Sequence, residues 1–496
     1  MDVIIAGLSD ALSFYNLLFI FFGVSLGIVV GAIPGLSAPM AIAIAVPITF
    51  YMDSLVAIAF LMGVNKGGEF GGSISAILLN TPGTPESAAT ALDGYPLAQK
   101  GKQGKALKMA LYSSVSGDTF SDIVLIVVSA PLATVALKMG PAEVLGFLVF
   151  ALTFITALVG KSLPKGLAAA AFGIFVSTVG LDPETAEPRF TFGFLELENG
   201  IPLPALGIGL LAFAEVIRQM EMLSREGVEK TILLSLKGGN KDDQRVTRED
   251  FRECRKTILR SACIGTVVGA IPGLGYSLAG FLGYGAARKA SKNPEEFGKG
   301  RLEGVAATEA ANSAVVGSNL IPLLALGIPG NATAGLLIGA FIIHGVIPGP
   351  LMFKENGALV YGLFGSLILA NMMNLCLGSI GLRLFVQSLR VPRTIMLPIV
   401  VLLCFTGAYA AGSGLFSTGL MLLFGVIGYL MQRLQFSIIS LFVAYIIGPM
   451  FEKSLRHTVI LIDDPRLLLD HPVLLVMVIL SIISAWRMSR RPTLGS

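Results

Sequence analysis

Lys66 and Glu69 stand in Gly63-Val64-Asn65-Lys66-Gly67-Gly68-Glu69-Phe70-Gly71-Gly72-Ser73, among glycines and apolar residues. A charge in apolar surroundings is costly, and by default it marks a substrate or ion path. Both are therefore candidate substrate or ion contacts. Residues three apart share a helix face, so a mutually neutralised Lys-Glu pair is the other reading. Downstream, Asn80-Thr81-Pro82-Gly83-Thr84-Pro85 gathers amide and hydroxyl groups in one loop. Such groups hold a carboxylate, or a sodium ion through their oxygens. They also cap helix starts. Gly327-Ile328-Pro329-Gly330-Asn331, followed by Thr333, offers similar groups later in the chain. Before it, Thr308, Glu309, Asn312, Ser313, Ser318 and Asn319 form a polar face. That face suits either a cavity wall or interhelical hydrogen bonds.

The elements that position these groups are broken helices. Proline removes a backbone donor and obstructs the preceding turn, and lipid tolerates no unsatisfied backbone. Gly27-Ile28-Val29-Val30-Gly31-Ala32-Ile33-Pro34-Gly35-Leu36-Ser37 matches Gly265-Thr266-Val267-Val268-Gly269-Ala270-Ile271-Pro272-Gly273-Leu274-Gly275 at nine of eleven positions. Each copy is followed by a second Pro-Gly break in the same order. The four breaks point to a site at a repeat interface, where half-helix N-termini offer N–H groups to an anion. Its candidate residues are Gly35, Leu36 and Ser37 with Asn80, Thr81, Gly83 and Thr84. From the second copy come Gly273, Gly275, Asn312, Ser313, Gly330, Asn331 and Thr333. Gly67, Gly68, Gly71 and Gly72 read first as close-packing positions.

Charge places the two copies in opposite orientations. After the first tip, Tyr51–Ser54 carries no basic residue, whereas the second copy has Arg288, Lys289, Lys292, Lys299 and Arg301. After the second break the bias reverses, with Lys100, Lys102, Lys105 and Lys108 against Lys354 alone. Under the positive-inside rule these are inverted repeats. Ser54 and Ser291 should then face opposite sides. The arm Ile258–Ile271 would be ~20 Å long as helix, short of the ~30 Å hydrocarbon core. A re-entrant hairpin tipped by Pro272–Gly275 fits, with its inverted twin at Pro34–Ser37.

Composition sets the class. Of 496 residues, 54% are hydrophobic and 14% charged, against about 25% charged in a soluble domain. Mean hydropathy is +0.78. This is an all-α polytopic membrane protein with roughly 11–12 spans of ~20 residues. A soluble enzyme and a nucleic-acid module are excluded. Spans are expected at Ala106–Leu137, Ala142–Gly160, Leu163–Val179, Ile201–Ile217, Ala358–Leu382, Ile395–Ala410, Thr418–Met431, Phe436–Pro449 and Pro472–Trp486. Residues 221–260 carry ten basic and eight acidic side chains and read as a polar cytoplasmic connector. It separates a first half, 1–220, from a second, 261–496. The basic tail Arg487, Arg490 and Arg491 places the C-terminus in the cytoplasm, and the N-terminus is read as periplasmic. The loop holding Asp182, Glu184, Glu187 and Arg189 is read as external. Four scattered cysteines and three histidines form no metal spacing, no Walker pattern is present, and no cofactor is expected.

These residues resemble the large membrane subunit of the tripartite tricarboxylate transporters, the TctA type. The resemblance rests on the repeated Gly-Ala-Ile-Pro-Gly-Leu and on Gly71-Gly72-Ser73-Ile74 leading to Leu79-Asn80-Thr81-Pro82-Gly83-Thr84-Pro85. It also rests on Ala91-Leu92-Asp93-Gly94-Tyr95-Pro96, Gly180-Leu181-Asp182-Pro183, Pro188-Arg189-Phe190-Thr191-Phe192-Gly193, Gly327-Ile328-Pro329-Gly330 and Gly407-Ala408-Tyr409. It covers nearly the whole chain. It implies a secondary transporter subunit in a bacterial inner membrane, not an enzyme. A small four-helix membrane subunit and a periplasmic solute-binding protein are the implied partners, with a carboxylate such as citrate as substrate. Coupling would be to sodium or protons, without ATP. The chain departs from the family at Ser37, where glycine is common, and at Lys66, where a neutral residue is expected.

The expected mechanism is alternating access around the repeat interface, with an elevator-type movement by analogy of fold. A channel is the alternative reading, and an intramembrane enzyme a more distant one.

Overall fold

The computed structural model describes residues 2–81, 83–159, 162–226, 241–389, 393–410, 412–462 and 471–489. Pro82, Gly160, residues 227–240 of the expected connector, Arg490 and Arg491 lie outside the described residues. Among the described residues the regular elements are helices, apart from an antiparallel ribbon pairing Gly180–Leu181 with Pro188–Arg189. Among the described residues, six helices are long and apolar enough to cross a membrane: Phe14–Ala32, Gln103–Ala136, Leu203–Ser224, Gly357–Ile380, Leu415–Arg433 and Ile438–Leu461. Several shorter apolar helices accompany them. The architecture is that of an all-α polytopic membrane protein.

Helix Phe14–Ala32, a Pro-Gly tip and helix Ala38–Ala45 make the first hairpin. Ser54–Leu79 follows, then a break, then Gln103–Ala136. Later in the chain the order recurs. Arg248–Ala270, a tip and Tyr276–Ala290 precede Leu302–Ser318, a break, Ala332–Ile343 and Gly357–Ile380. The local packing recurs as well. Gly27 and Gly31 lie against the backbone of Val64 and Gly68, and Gly265 and Gly269 against that of Ala311 and Val315. This makes Val64 and Gly68 the counterparts of Ala311 and Val315, and Asn65 the counterpart of Asn312. Gly67 and Gly71 press on the Phe14–Ala32 backbone in return, so their packing role is what the geometry displays. The later long helices cross over. Gln103–Ala136 lies along Leu302–Ser318, and Gly357–Ile380 lies along Ser54–Leu79.

Two long helices fall outside the spans read from hydropathy. Phe14–Ala32 is a full 19-residue helix. Ser54–Leu79 is buried at every residue from Val56 to Leu78. Protein rather than lipid surrounds it, so its glycines and charges carry no lipid penalty and depress its hydropathy. The second hairpin's first arm also runs further than expected. It starts at Arg248, inside the charged segment, where Thr247 and Asp250 form a reciprocal capping box. Its 23 residues make ~35 Å of helix. Phe436–Pro449 was expected to end at the proline, but the helix runs from Ile438 through Pro449 to Leu461.

Asp93 ties the two hairpin systems together. Its Oδ1 accepts the backbone N–H groups of Gly298, Gly300 and Arg301 at 2.8–2.9 Å, and its Oδ2 accepts Tyr284 Oη–H at 2.9 Å.

Candidate functional site: a cleft at the first tip and a polar seam behind it

The two tips share one backbone geometry. Gly35 and Gly273 both have φ +93°, in the left-handed region that glycine enters without penalty. Ile33 and Ile271 are extended at φ −80° and −94°. Each tip is hydrogen-bonded to the second break of its own copy. Gly35 N–H donates to Gly83 O at 3.4 Å, and Gly273 N–H to Gly330 O at 2.7 Å. The pairing of break with break is thus a direct backbone contact.

The surroundings of the tips differ. Gly35, Ser37 and Gly83 line a cleft of about 470 Å³, closed on the other side by Glu215, Arg218, Gln432, Phe436 and Ser437 among others. Gly273 is buried, with the Ile155 main chain where a side chain would project. Three features make the cleft suited to an anion. Ser37 precedes helix Ala38–Ala45, lines the cleft and makes no side-chain cap bond, so that N-terminus is left uncapped by its side chain beside the cleft. Ser437 N-caps helix Ile438–Leu461. Arg218 is held by Glu215 through Nε and Nη2 at 2.8 and 2.6 Å, which leaves the Nη1 side of its fork for a ligand. Helix N-termini favour anions, and an arginine fork matches a carboxylate. Arg218 was not among the sequence candidates, because it belongs to a charged helix end that only the tertiary fold brings to the tip.

Behind the tips lies a polar seam. Lys66 Nζ is 2.8 Å from Asp122 Oδ2 and 3.5 Å from Asp118 Oδ1, all fully buried. Asn371 also donates to Asp122, at 2.7 Å. Glu69 Oε2 accepts from Asn312 at 3.0 Å. The neutralised Lys66–Glu69 pair is therefore overturned, since each side chain reaches a different helix. Glu309 Oε1 accepts Ser73 Oγ–H at 2.7 Å and is also bonded by Thr90. Thr90 and Thr308 meet at 3.1 Å, Ser114 and Ser313 at 2.5 Å, and Asn319 and Asn331 at 2.8 Å. Most of the polar face thus makes interhelical hydrogen bonds. Asp118 and Asp122 were missed, although two carboxylates four apart in an apolar window were the available signal.

The other candidates disperse. Asn80 ends Ser54–Leu79 in the left-handed conformation, φ 54°. Asn80 and Thr81 are exposed and do not line the cleft. Thr84 is buried beside Gly72. Leu36 is buried in the apolar core. Gly275 precedes helix Tyr276–Ala290. Asn331 Oδ1 caps its helix on Ala334 N–H at 2.9 Å, and Thr333 is buried in that first turn. Among the described residues, no three His, Cys, Asp or Glu side chains group to hold a metal.

Broken helices in contact, a polar interior and an apolar exterior define a polytopic helical membrane protein. The chain belongs to the Tripartite tricarboxylate transporter TctA family, which it matches over residues 17–443. Over those residues it is thus similar to a transporter family. An uncharacterized 52.8 kDa protein in the TAR-I ttuC' 3' region of Agrobacterium vitis is 35% identical over 470 residues, 94% of this chain and 92% of that one. An uncharacterized protein in the TAR-II ttuC' 3' region of the same organism is 33% identical over 234 residues, 46% of this chain and 97% of that one. No solved structure matches the chain.

Proposed function

We propose that this chain is the translocating subunit of a binding-protein-dependent secondary transporter that imports a di- or tricarboxylate with coupling cations. Its two copies are inverted repeats, and alternating access moves the site between them. It works in a bacterial inner membrane beside a small four-helix subunit, and a periplasmic solute-binding protein delivers the substrate. The cleft at the first tip carries this reading. It combines two helix N-termini with Arg218, a donor set for carboxylate oxygens. The contrast between the open tip at Gly35 and the covered tip at Gly273 supports a conformation accessible from one side. A dianion entering against the membrane potential meets ~2.3 kcal/mol per charge per 100 mV, so more than two monovalent cations must enter with it for the potential itself to drive uptake.

The test is uptake of labelled citrate, tartrate and succinate into proteoliposomes holding this chain and its small subunit, with binding protein outside. Accumulation that requires both the binding protein and an inward sodium or proton gradient is expected. Gradient-independent equilibration overturns the reading in favour of a channel.

A further inference from the structure

Asn65, Glu69 and Ser73 repeat every fourth residue, so they share one face of Ser54–Leu79. Glu309 and Asn312 share a face of Leu302–Ser318. Two rungs join the faces, Glu69–Asn312 at 3.0 Å and Ser73–Glu309 at 2.7 Å. After these bonds form, four atoms on these two faces remain without a hydrogen-bond partner: Glu69 Oε1, Glu309 Oε2, Asn312 Oδ1 and Asn65 Oδ1. All four residues are at most 1% exposed. All four atoms are acceptors.

A buried acceptor left unpaired is costly, and an unpaired buried carboxylate far more so. Lys66, the nearby cation, is committed to Asp118 and Asp122. Among the described residues neither glutamate has an ion-pair partner. Glu69 and Ser73 are one turn apart on one face and Glu309 and Asn312 one turn apart on the other, so the two rungs, and the two carboxylates in them, are neighbours. What the seam lacks is a positive species that needs no acceptor of its own. A proton satisfies one carboxylate and leaves both amide oxygens open. An alkali cation takes carboxylate and amide oxygens together, as hard cations do.

We infer that Glu69, Glu309 and Asn312, with Asn65 at the edge, form a seat for one dehydrated sodium ion. Because the ligands come from one long helix of each copy, the ion fastens the two copies together. The seat rests on the cation-coupled reading above and gives it a location away from the carboxylate cleft.

Binding of radiolabelled sodium to the purified full-length chain in detergent tests the seat, with choline as the inert salt. Saturable binding is expected, at least tenfold weaker in Glu69→Gln and in Glu309→Gln and unchanged in Asp182→Asn, which lies in the outer loop. Absence of saturable sodium binding in the folded wild-type chain overturns the seat without recourse to any variant, as does undiminished binding in both Gln variants. Should a Gln variant fail to fold, Asn312→Ala keeps both carboxylates and should still weaken binding several-fold; unchanged affinity there counts against the seat. Uptake in the same preparations separates the two proposals. Sodium-driven uptake that persists in Glu69→Gln and Glu309→Gln discards the seat and keeps the transporter. Sodium binding without sodium-driven uptake keeps the seat and discards the coupling.

Discussion

Lys66 is held between Asp118 and Asp122, one turn apart on Gln103–Ala136, with Nζ 2.8 Å from the second and 3.5 Å from the first. All three side chains are fully buried. The contact ties Ser54–Leu79 to a helix that also lies along Leu302–Ser318. Removing one partner of a buried pair leaves an uncompensated charge and costs about 3–5 kcal/mol. Lys66→Met should therefore lower thermal stability by about that amount, measured by size-exclusion survival after heating. Adding Asp122→Asn should recover part of the loss. Substrate ranking in the surviving protein should be unchanged, since Lys66 is spent on the aspartates; a changed ranking would return Lys66 to the substrate site.

Gly35 and Gly273 have the same φ but different neighbours. An alanine at either enters the left-handed region at about 1–2 kcal/mol. At Gly35 the new Cβ meets the Gln219 amide, the end of a flexible side chain. At Gly273 it meets the Ile155 backbone N and Cα at 2.9 Å, which must shift as a unit. Overpacking of that kind adds roughly 1–3 kcal/mol. Gly273→Ala should thus be clearly the less stable variant in the same heating assay. Equal losses would show that the Ile155 helix gives way freely at the second tip.

Much of this site was legible before the fold was known. The repeated Gly-Ala-Ile-Pro-Gly-Leu gave both tips, because a Pro-Gly break is a local event written in adjacent residues. Gln103–Ala136 and Gly357–Ile380 lie within three residues of the spans that hydropathy marks. Ser54–Leu79 escaped because a helix shielded by protein needs no apolar surface. The partners of Lys66 escaped because Asp122 is 56 residues away, and pairing at that range is decided by helix crossing. Asn80 and Thr81 carried the right chemistry but serve the chain reversal, where a left-handed Asn ends the helix. Arg218 lies in a charged helix end whose sequence reads as surface.

Arg218 makes a specific demand on the carboxylate cleft. If its free edge binds substrate, Arg218→Gln removes a charge-assisted hydrogen bond of about 1.5–3 kcal/mol. The expected result is a rise of roughly tenfold or more in the KM for uptake, measured at equal folded protein because Glu215, the buried partner of Arg218, loses its cation as well. Arg218→Lys should recover charge but not the forked geometry, and so only part of the affinity. An unchanged KM in Arg218→Gln would remove the arginine from the site.

The external-side expectation for Asp182 carries a pH prediction. Arg456 donates to Asp182 Oδ2 at 2.6 Å, and the backbone N–H groups of Glu184 and Thr185 bond its Oδ1. The Arg456 bond foremost, then those backbone bonds, hold the Asp182 carboxyl well below its ordinary value. A carboxyl depressed in the folded state contributes stability above its unfolded value of about 3.9, and loses it as pH falls through the folded value. Asp182→Asn should therefore melt below wild type by a constant margin from pH 7 to pH 5. The margin should shrink only in stronger acid. A margin that closes between pH 7 and pH 5 would show that another group governs the loop.

Opposite orientation of the two copies is open to a chemical test at their matching turns. Tyr51 follows the first hairpin and is 94% exposed. Lys292 follows the second hairpin and is also exposed. If the copies are inverted, these residues lie on opposite faces, with Lys292 on the cytoplasmic side where its basic neighbours belong. Cys263 and Cys376 are exposed free thiols and must first be replaced by serine or alanine. Tyr51→Cys and Lys292→Cys are then made singly and treated in intact cells with a membrane-impermeant maleimide. Tyr51→Cys should label in intact cells, and Lys292→Cys only after the cells are opened. Labelling of both from the same face would make the copies parallel. Parallel repeats also support alternating access, so that result would remove the opposed tips and the inverted topology and leave alternating access to another rearrangement.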